Sequence, residues 1–241
     1  MKINAKGIHY RELNENIRRL INSGEKEIVL DNINGQRYIG DGIKSNAKIT
    51  INGTPGNDLG AFMDGPDITV FANVQDGTGN TMSSGSIIVH GDAGDILGHS
   101  MRGGKLFIKG NAGYRTGIHM KSYKDMQPVI IVGGSVQDFT GEYMAGGLLI
   151  IFGNGNGKPA GNYIGTGMHA GSIYMHDGIE DYQLGKEVKK FDMSGEDEKI
   201  LAAYLKEYCS IFSMDIKKLK QRPFIKIAPL THRPYGKLYA Y

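Results

Sequence analysis

The sequence predicts an all-β protein, a right-handed parallel β-helix of about seven coils, and three observations predict it. Six glycines recur at intervals of 19, 19, 19, 24 and 24 residues, and a methionine follows each glycine by three positions. A short β-branched or aliphatic run, such as 49–51 or 68–70, precedes each glycine. The repeated residues are Gly60, Gly79, Gly98, Gly117, Gly141 and Gly165 with Met63, Met82, Met101, Met120, Met144 and Met168.

The residue pattern and the length of each repeat distinguish this fold from the other solenoid folds. No unit contains a helical segment, which excludes helical-pair repeats, and the leucine-rich pattern is absent. A left-handed β-helix needs coils divisible by six residues, and 19 is not. In a parallel β-helix, equivalent residues of neighbouring coils stack at about 4.8 Å, so methionines and isoleucines form interior columns.

The N-terminal part, residues 1–27, is predicted to form a helical cap. Leu13, Ile17, Leu20 and Ile21 share one face of a helix over 10–22, which Ser23 and Gly24 end. The β-helix follows over 28–177, and its first coil is degenerate. An open solenoid end exposes a sheet edge, so we expect the helix to cover one end. The two longer coils gain surface loops at 121–128 and 153–160, which either add contacts or are neutral.

Residues 178–241 are predicted to form a helix and an extended tail packed on the solenoid. A capping box begins at Ser194 and ends at Asp197, and a helix over 196–209 follows. Its apolar side contains Ile200, Leu201, Tyr204, Leu205 and Tyr208. A further helical turn is expected at 215–219. The segments 223–229 and 233–239 are expected to be extended, either packed outside the β-helix or serving as a partner-docking arm.

Composition excludes several classes of protein. The net charge is only +3, which gives little reason to expect nucleic-acid binding. No run of 18 apolar residues and no charged-then-apolar leader is present, so we expect no membrane segment and a cytoplasmic location. The single cysteine, Cys209, permits no internal disulfide and cannot hold an iron–sulfur cluster.

Motifs that would carry chemistry are absent or incomplete, so we expect no catalytic, cofactor-binding or metal-binding residues. Gly157 and Lys158 resemble part of a phosphate loop, but Pro159 stands where a hydroxyl residue is needed. The string around His99 and Ser100 has one residue too many for a nucleophile elbow, and these neighbouring side chains are expected to point apart. The seven histidines show no ligand spacing.

Several segments resemble one known family. Residues 141–153, 167–177, 34–40 and 91–105 are similar, in order, to the C-terminal glycine-repeat (GXGXG) domain of the glutamate synthase large subunit. The resemblance covers about residues 6–177, and it extends to the subunit of formylmethanofuran dehydrogenase that carries the same repeat. It implies a right-handed β-helix without catalytic residues that packs between a glutamine amidotransferase and an FMN-binding synthase. It also implies a free-standing version of that domain.

Two classes of function follow. The first is a non-catalytic scaffold subunit of a multi-subunit glutamate synthase, whose partners are a glutamine amidotransferase subunit and an FMN/iron–sulfur synthase subunit; self-association is also possible. A formylmethanofuran dehydrogenase complex is the alternative setting for the same role. The second class is a self-contained hydrolase on a β-helix, which is disfavoured because the acids Asp76, Asp92, Asp95 and Asp138 are scattered.

Overall fold

The protein is a parallel β-helix, described by a computed structural model over residues 1–153, 158–219 and 222–231. Its elements are β1 (Lys2–Asn4), α1 (Tyr10–Asn22), β2 (Glu27–Asn34), β3 (Lys48–Thr54), β4 (Asp64–Val70), β5 (Ser84–Val89), β6 (Lys105–Ile108), β7 (Val129–Val132), β8 (Ala145–Ile151), β9 (Ala170–His176), β10 (Val188–Phe191), α2 (Gly195–Phe212), α3 (Ile216–Leu219) and β11 (Phe224–Pro229).

One sheet runs along the whole stack. Strands β1 to β9 lie side by side in sequence order and are parallel; β1 precedes helix α1, and from β2 onward each turn of the chain adds one strand. Equivalent residues of the repeat are direct neighbours: Ile49 pairs with Ile68, and Ile68 pairs with Ile87. The predicted all-β solenoid fold is therefore confirmed.

The interior of the solenoid is filled by the repeated apolar residues. The six methionines are between 0% and 1% exposed, as are Ile49, Ile68, Ile87 and Leu106. Because every coil offers the same residue type at the same offset, each layer packs against a like layer above and below. A dry core results without any helix crossing inside it.

The N-terminal end is covered by two elements. Helix α1 has the predicted bounds, and its Leu13 and Ile17 are fully buried against the first coils. The side chain of His9 caps its first turn by accepting a hydrogen bond from the Arg11 N–H. The exposed sheet edge itself is covered by strand β1, which sequence patterning did not predict.

Helix α2 packs on the outer face of the sheet. The predicted capping box is present, since Ser194 accepts from the Asp197 N–H and the Asp197 carboxylate accepts from the Ser194 N–H. Leu201, Leu205 and Tyr208 are buried, whereas Ile200 is 36% exposed, so its assignment to the apolar side was wrong. The helix covers the outward residues of the later strands, which are Phe107, Ile131, Ile150 and Tyr174.

The C-terminal end is closed by two antiparallel strands. Strand β11 pairs with β9, and β10 pairs with β11 on its far side. Residues 224–229 are extended, as predicted, but they continue the sheet at the end of the stack rather than lie along its side or form a free arm. The segment 233–239 and the loop residues 154–157 lie outside the described residues. In the described part of the chain, no helix combines the length and apolarity needed to cross a bilayer.

Candidate interaction surface

Each coil turns at a corner in which alternate residues have left-handed backbone. In the corner around Gly60, φ is +60° at Asp58, +66° at Gly60 and +57° at Phe62. Such backbone costs little for glycine and about 1–2 kcal/mol for most other residues. The same alternation occurs at 38/40/42, 77/79/81, 96/98/100, 115/117/119, 139/141/143 and 163/165/167.

The middle position of each corner requires glycine for a second reason, which is space. A Cβ on Gly60 would lie 2.7 Å from Ile87 Cδ1, and one on Gly98 would lie 2.3 Å from Ile130 Cδ1. The corner passes so close to the column of core isoleucines and leucines that only glycine fits at this position, and this requirement fixes the glycine period. The flanking positions are less restricted and carry side chains of many sizes, although a Cβ on Gly77 would lie 2.7 Å from Asp58 Oδ1.

These flanking positions form two rows along the outside of the corner. The first row is Asp58, Gly77, Ile96, Arg115, Phe139 and Tyr163, and the second row is Phe62, Thr81, Ser100, His119, Tyr143 and Gly167. Three of their aromatic members are exposed, with Phe62 at 56%, Tyr143 at 47% and Tyr163 at 54%. Sequence reasoning missed the rows, although they lie at fixed offsets of one and five residues before each repeat methionine.

Aromatic rings stack along both rows in the last three coils. Phe139 and Tyr163 are parallel within 12° with centroids 4.8 Å apart, and His119 and Tyr143 are parallel within 11° at 5.3 Å. The Tyr143 ring lies where a Cβ on Gly167 would be, at 2.4 Å from that position, so Gly167 makes room for it. The coil spacing thus holds exposed rings in fixed orientations.

A carboxylate beside these rings has an unsatisfied oxygen. Glu142 is 8% exposed, and its Oε2 lies 3.5 Å from Arg115 Nη1. This contact is an ion pair without a hydrogen bond, and Oε2 has no hydrogen-bond partner among the described residues. The Arg115 guanidinium carbon instead lies 5.2 Å from the Phe139 ring centroid. A buried acceptor without a hydrogen bond costs about 1–3 kcal/mol, which the ion pair with Arg115 partly offsets.

His99 and Ser100 do not point apart, contrary to expectation. Left-handed backbone at Ser100 turns its side chain back, and its Oγ lies 3.4 Å from His99 Nε2. His99 Nδ1 is 3.1 Å from Asn80 Oδ1, and Asn80 donates to the carboxylate of Asp58 at 3.1 Å. Burial, helped by the nearby His119, lowers the pKa of His99.

The series Ser100, His99, Asn80 and Asp58 lacks the free N–H donors that a serine hydrolase needs to stabilise an oxyanion. The Ser100 N–H donates to the carbonyl of Ile118, and the Met101 N–H donates to the carbonyl of Gly98. Neither amide is therefore available to stabilise an oxyanion at Ser100. The arrangement is better described as a hydrogen-bonded ladder that links successive coils at the corner.

The acids that looked scattered in sequence form ladders at the other turns. Asp92 Oδ1 accepts the N–H of Asn111 at 2.6 Å, and Asn111 Oδ1 accepts the N–H of Ser135 at 3.0 Å in the next coil. Glycine is needed nearby, because a Cβ on Gly94 would lie 2.3 Å from Asp76 Oδ1. Asp76, Asp95 and Asp138 likewise accept backbone N–H groups of the following coil. These carboxylates hold coils together.

His176 and Cys209, two further side chains with reactive groups, are buried in the fold. His176 is buried, with its ring nitrogens facing the carbonyls of Phe152 and Leu219, and burial lowers its pKa. Cys209 lies on the buried side of helix α2, where burial raises the pKa of its thiol. Within the described ranges, no group of three or more His, Cys, Asp or Glu residues is arranged to hold a metal ion.

A stack of coils with alternating left-handed corners and glycine at the centre of each corner defines a class of glycine-repeat β-helix. The model of the GXGXG motif family matches residues 11–229, and the chain belongs to this family. Its paired glycines, such as Gly77 and Gly79 or Gly165 and Gly167, lie at the alternating left-handed positions.

The chain is also similar to a second protein and to one chain of a solved complex. An uncharacterized protein of Methanocaldococcus jannaschii is 48% identical over 248 residues, covering 98% of this chain and 95% of that protein. Among solved structures, the formyltransferase/hydrolase complex of Methylorubrum extorquens with methylofuran contains a similar fold. Its TM-score is 0.63 at 21% identity, over 83% of this chain and 72% of that one. At this identity the similarity concerns the fold alone.

Proposed function

We propose that the protein is a non-catalytic scaffold subunit of a multi-subunit enzyme complex. The proposal rests on how the polar side chains of the solenoid are bonded. Asp92, Asn111 and their equivalents form hydrogen bonds between neighbouring coils, while aromatic rings on the corner remain exposed. A stiff stack of this kind fixes the distance between two partners bound to different parts of it.

Glutamate synthase is the first setting we propose for this scaffold. Support comes from the ordered resemblance of residues 34–40, 91–105, 141–153 and 167–177 to the glycine-repeat domain of its large subunit. In that setting the protein would hold a glutamine amidotransferase subunit and an FMN-containing synthase subunit so that ammonia passes between them. The location proposed for such a complex is the cytoplasm.

A second setting is a complex of the formylmethanofuran dehydrogenase type. It is favoured by the fold shared with a chain of the formyltransferase/hydrolase complex that contains methylofuran. The role of the β-helix would be the same, and only the partner subunits would differ.

Co-expression distinguishes these settings. The tagged protein is expressed with the amidotransferase and synthase subunits of its own genome, and separately with the subunits of a formyl-transferring complex. We expect one set to be retained through size-exclusion chromatography, and glutamine-dependent glutamate synthesis to require the β-helix if that set is the first. Retention of neither set, or turnover of glutamine or an ester by the isolated protein, would refute the scaffold role.

A further inference from the structure

We infer that two copies of this chain associate through the outer face of strands β1 to β4. This surface is called the free face, because helix α2 packs on the outer side of the later strands and leaves it uncovered. In the dimer, a two-fold axis runs parallel to the strands and lies between β2 and β3. The association goes beyond the scaffold role, since it requires no other subunit and can be tested without one.

The middle row of the free face is a strip of β-branched residues. Val29, Thr50 and Thr69 are neighbours in register on successive strands, and each is partly exposed. Phe71, at the margin of the face, is 56% exposed. In the later coils the same row is buried, since Phe107 is 1% exposed under α2. One continuous sheet is therefore covered at one end and open at the other.

A column of alternating charges runs along the start of the same strands. Glu27 is the register neighbour of Lys48, and Lys48 is the register neighbour of Asp67, so the sign of the charge changes from each strand to the next. All three residues are exposed. Within the described part of the chain, neither Glu27 nor Lys48 belongs to an ion pair. An alternating column is complementary to its own reversed copy when the point of reversal lies between two strands.

The two-fold axis between β2 and β3 produces this reversal. Rotation about it preserves each residue's position along the strand but reverses the order of the strands, so β2 faces β3 of the second copy. Glu27 then faces Lys48 of the second copy, and the symmetry makes this contact twice. Asp31 likewise faces the amide of Asn52 in the second copy. An axis that passed through β2 would instead place Glu27 opposite Glu27, which opposes association.

Helix α2 determines which pair of strands the axis lies between. A helix is about 10–12 Å across and stacked sheets lie about 10 Å apart, so the second sheet lies level with α2. The helix reaches back as far as β5, where the rings of Phe212 and His90 have centroids 5.3 Å apart. With the axis between β2 and β3, strand β1 of the second copy lies over β4 and stops short of the helix. An axis between β3 and β4 would place that strand over β6, where α2 already lies.

The size of the free face sets the expected strength of the dimer. Roughly a dozen outward side chains on each copy are fewer than the 20–30 residues of a standard interface, so we expect a dissociation constant in the micromolar range. Aligned sheets pack with their strands within about 30° of each other, which keeps the facing rows in contact over four strands. The charged pairs fix the register of the two copies more than they add affinity.

Sedimentation of the full chain over about 1–300 µM measures the association. Glu27→Lys and Lys48→Glu each place two like-charge pairs in the homodimer, so we expect each variant alone to associate at least about tenfold more weakly than the wild type. Lys199→Glu is the matched control, because it makes the same change of charge at an exposed position of α2 outside the free face. Its dissociation constant should stay within about twofold of the wild-type value.

Mixing the two single variants tests the contact itself. In the mixed dimer the two altered positions face each other with opposite charges, and the two unaltered positions do the same, so we expect association at the wild-type level. Glu27 and Lys48 are also neighbours within one chain, and each variant keeps its own like-charge contact in the mixture. Recovery on mixing therefore cannot arise from better folding of either chain.

Three results would overturn the inference. The first is a wild type that stays monomeric throughout the concentration range, and the second is a mixture that associates no better than its components. The third is a monomeric wild type whose binding to other subunits is weakened by Glu27→Lys, which would assign the free face to a different partner. A failure of the chain to bind other subunits would refute the scaffold role, whereas the dimer is measured on the chain alone.

Discussion

Replacement of Gly98 by alanine tests the reason for the glycine period. Gly98 has φ of +66°, and a Cβ there would lie 2.3 Å from Ile130 Cδ1. Left-handed backbone costs alanine about 1–2 kcal/mol, and overpacking a tight core costs about 1–3 kcal/mol. We therefore expect Gly98→Ala to lower the free energy of unfolding by about 2–5 kcal/mol. Urea unfolding followed by circular dichroism or tyrosine fluorescence measures this, as the chain contains no tryptophan.

Two further variants separate the backbone term from the steric term. Gly42 has φ of +61° and nothing within 4 Å of the place that an alanine methyl group would take, so Gly42→Ala should lose only about 1–2 kcal/mol. Ile130→Val removes the clashing Cδ1 and alone costs about 0.5–1.5 kcal/mol. In the Gly98→Ala background it should instead recover stability. Strictly additive effects, or equal losses for the Gly98 and Gly42 variants, would refute the steric explanation.

Two other predictions concern carboxylates. Asp92→Ala should cost about 1 kcal/mol because it removes the acceptor of the Asn111 N–H bond, whereas Asp92→Asn should cost less, since an amide oxygen accepts the same bond; equal losses in urea unfolding would contradict this. For Asp197, burial alone would raise the pKa, but hydrogen bonds from Lys226, Ser194 and Tyr174 outweigh it and hold the pKa below its usual value. Its contribution is therefore present above about pH 4 and lost as pH falls further, so the difference in thermal midpoint between wild type and Asp197→Asn should shrink from about pH 7 to about pH 3; a difference independent of pH would contradict the network.

The interior of the solenoid could be predicted because burial repeats there. Each coil must place an apolar residue at the same offset, so Met101 and Ile87 recur in register with their equivalents, and the period is visible in one sequence. Helices α1 and α2 were predictable from local signals, namely the amphipathic spacing of Leu13 and Ile17 and the capping box at Ser194.

Elements defined by distant pairing could not be predicted in the same way. An alternating segment such as Phe224–Pro229 has the same pattern as an edge strand or as free extended chain, and only its pairing with β9 decides. The outward apolar residues Phe107, Ile131 and Tyr174 were a usable signal, since the equivalent positions of two earlier coils contain Thr50 and Thr69. They indicate where helix α2 covers the sheet.

The corner rows were missed because their geometry depends on backbone rather than on residue type. Alternate left-handed residues turn the side chains of neighbouring positions to the same side, which brings Ser100 to His99. Residues as different as Arg115 and Ile96 occupy equivalent places there, so no compositional repeat reveals them.

The antiparallel strands at the C-terminal end determine the height of the molecule. Parallel coils present the same edge at every level, so nothing within a single coil limits how many can follow, and two such ends could join into a fibre. Reversal of chain direction in β11 breaks that translational symmetry, and β10 places Lys189 and Lys190 in the outermost strand. Among the described residues, the parallel stack therefore ends at an antiparallel strand pair that a further parallel coil could not continue.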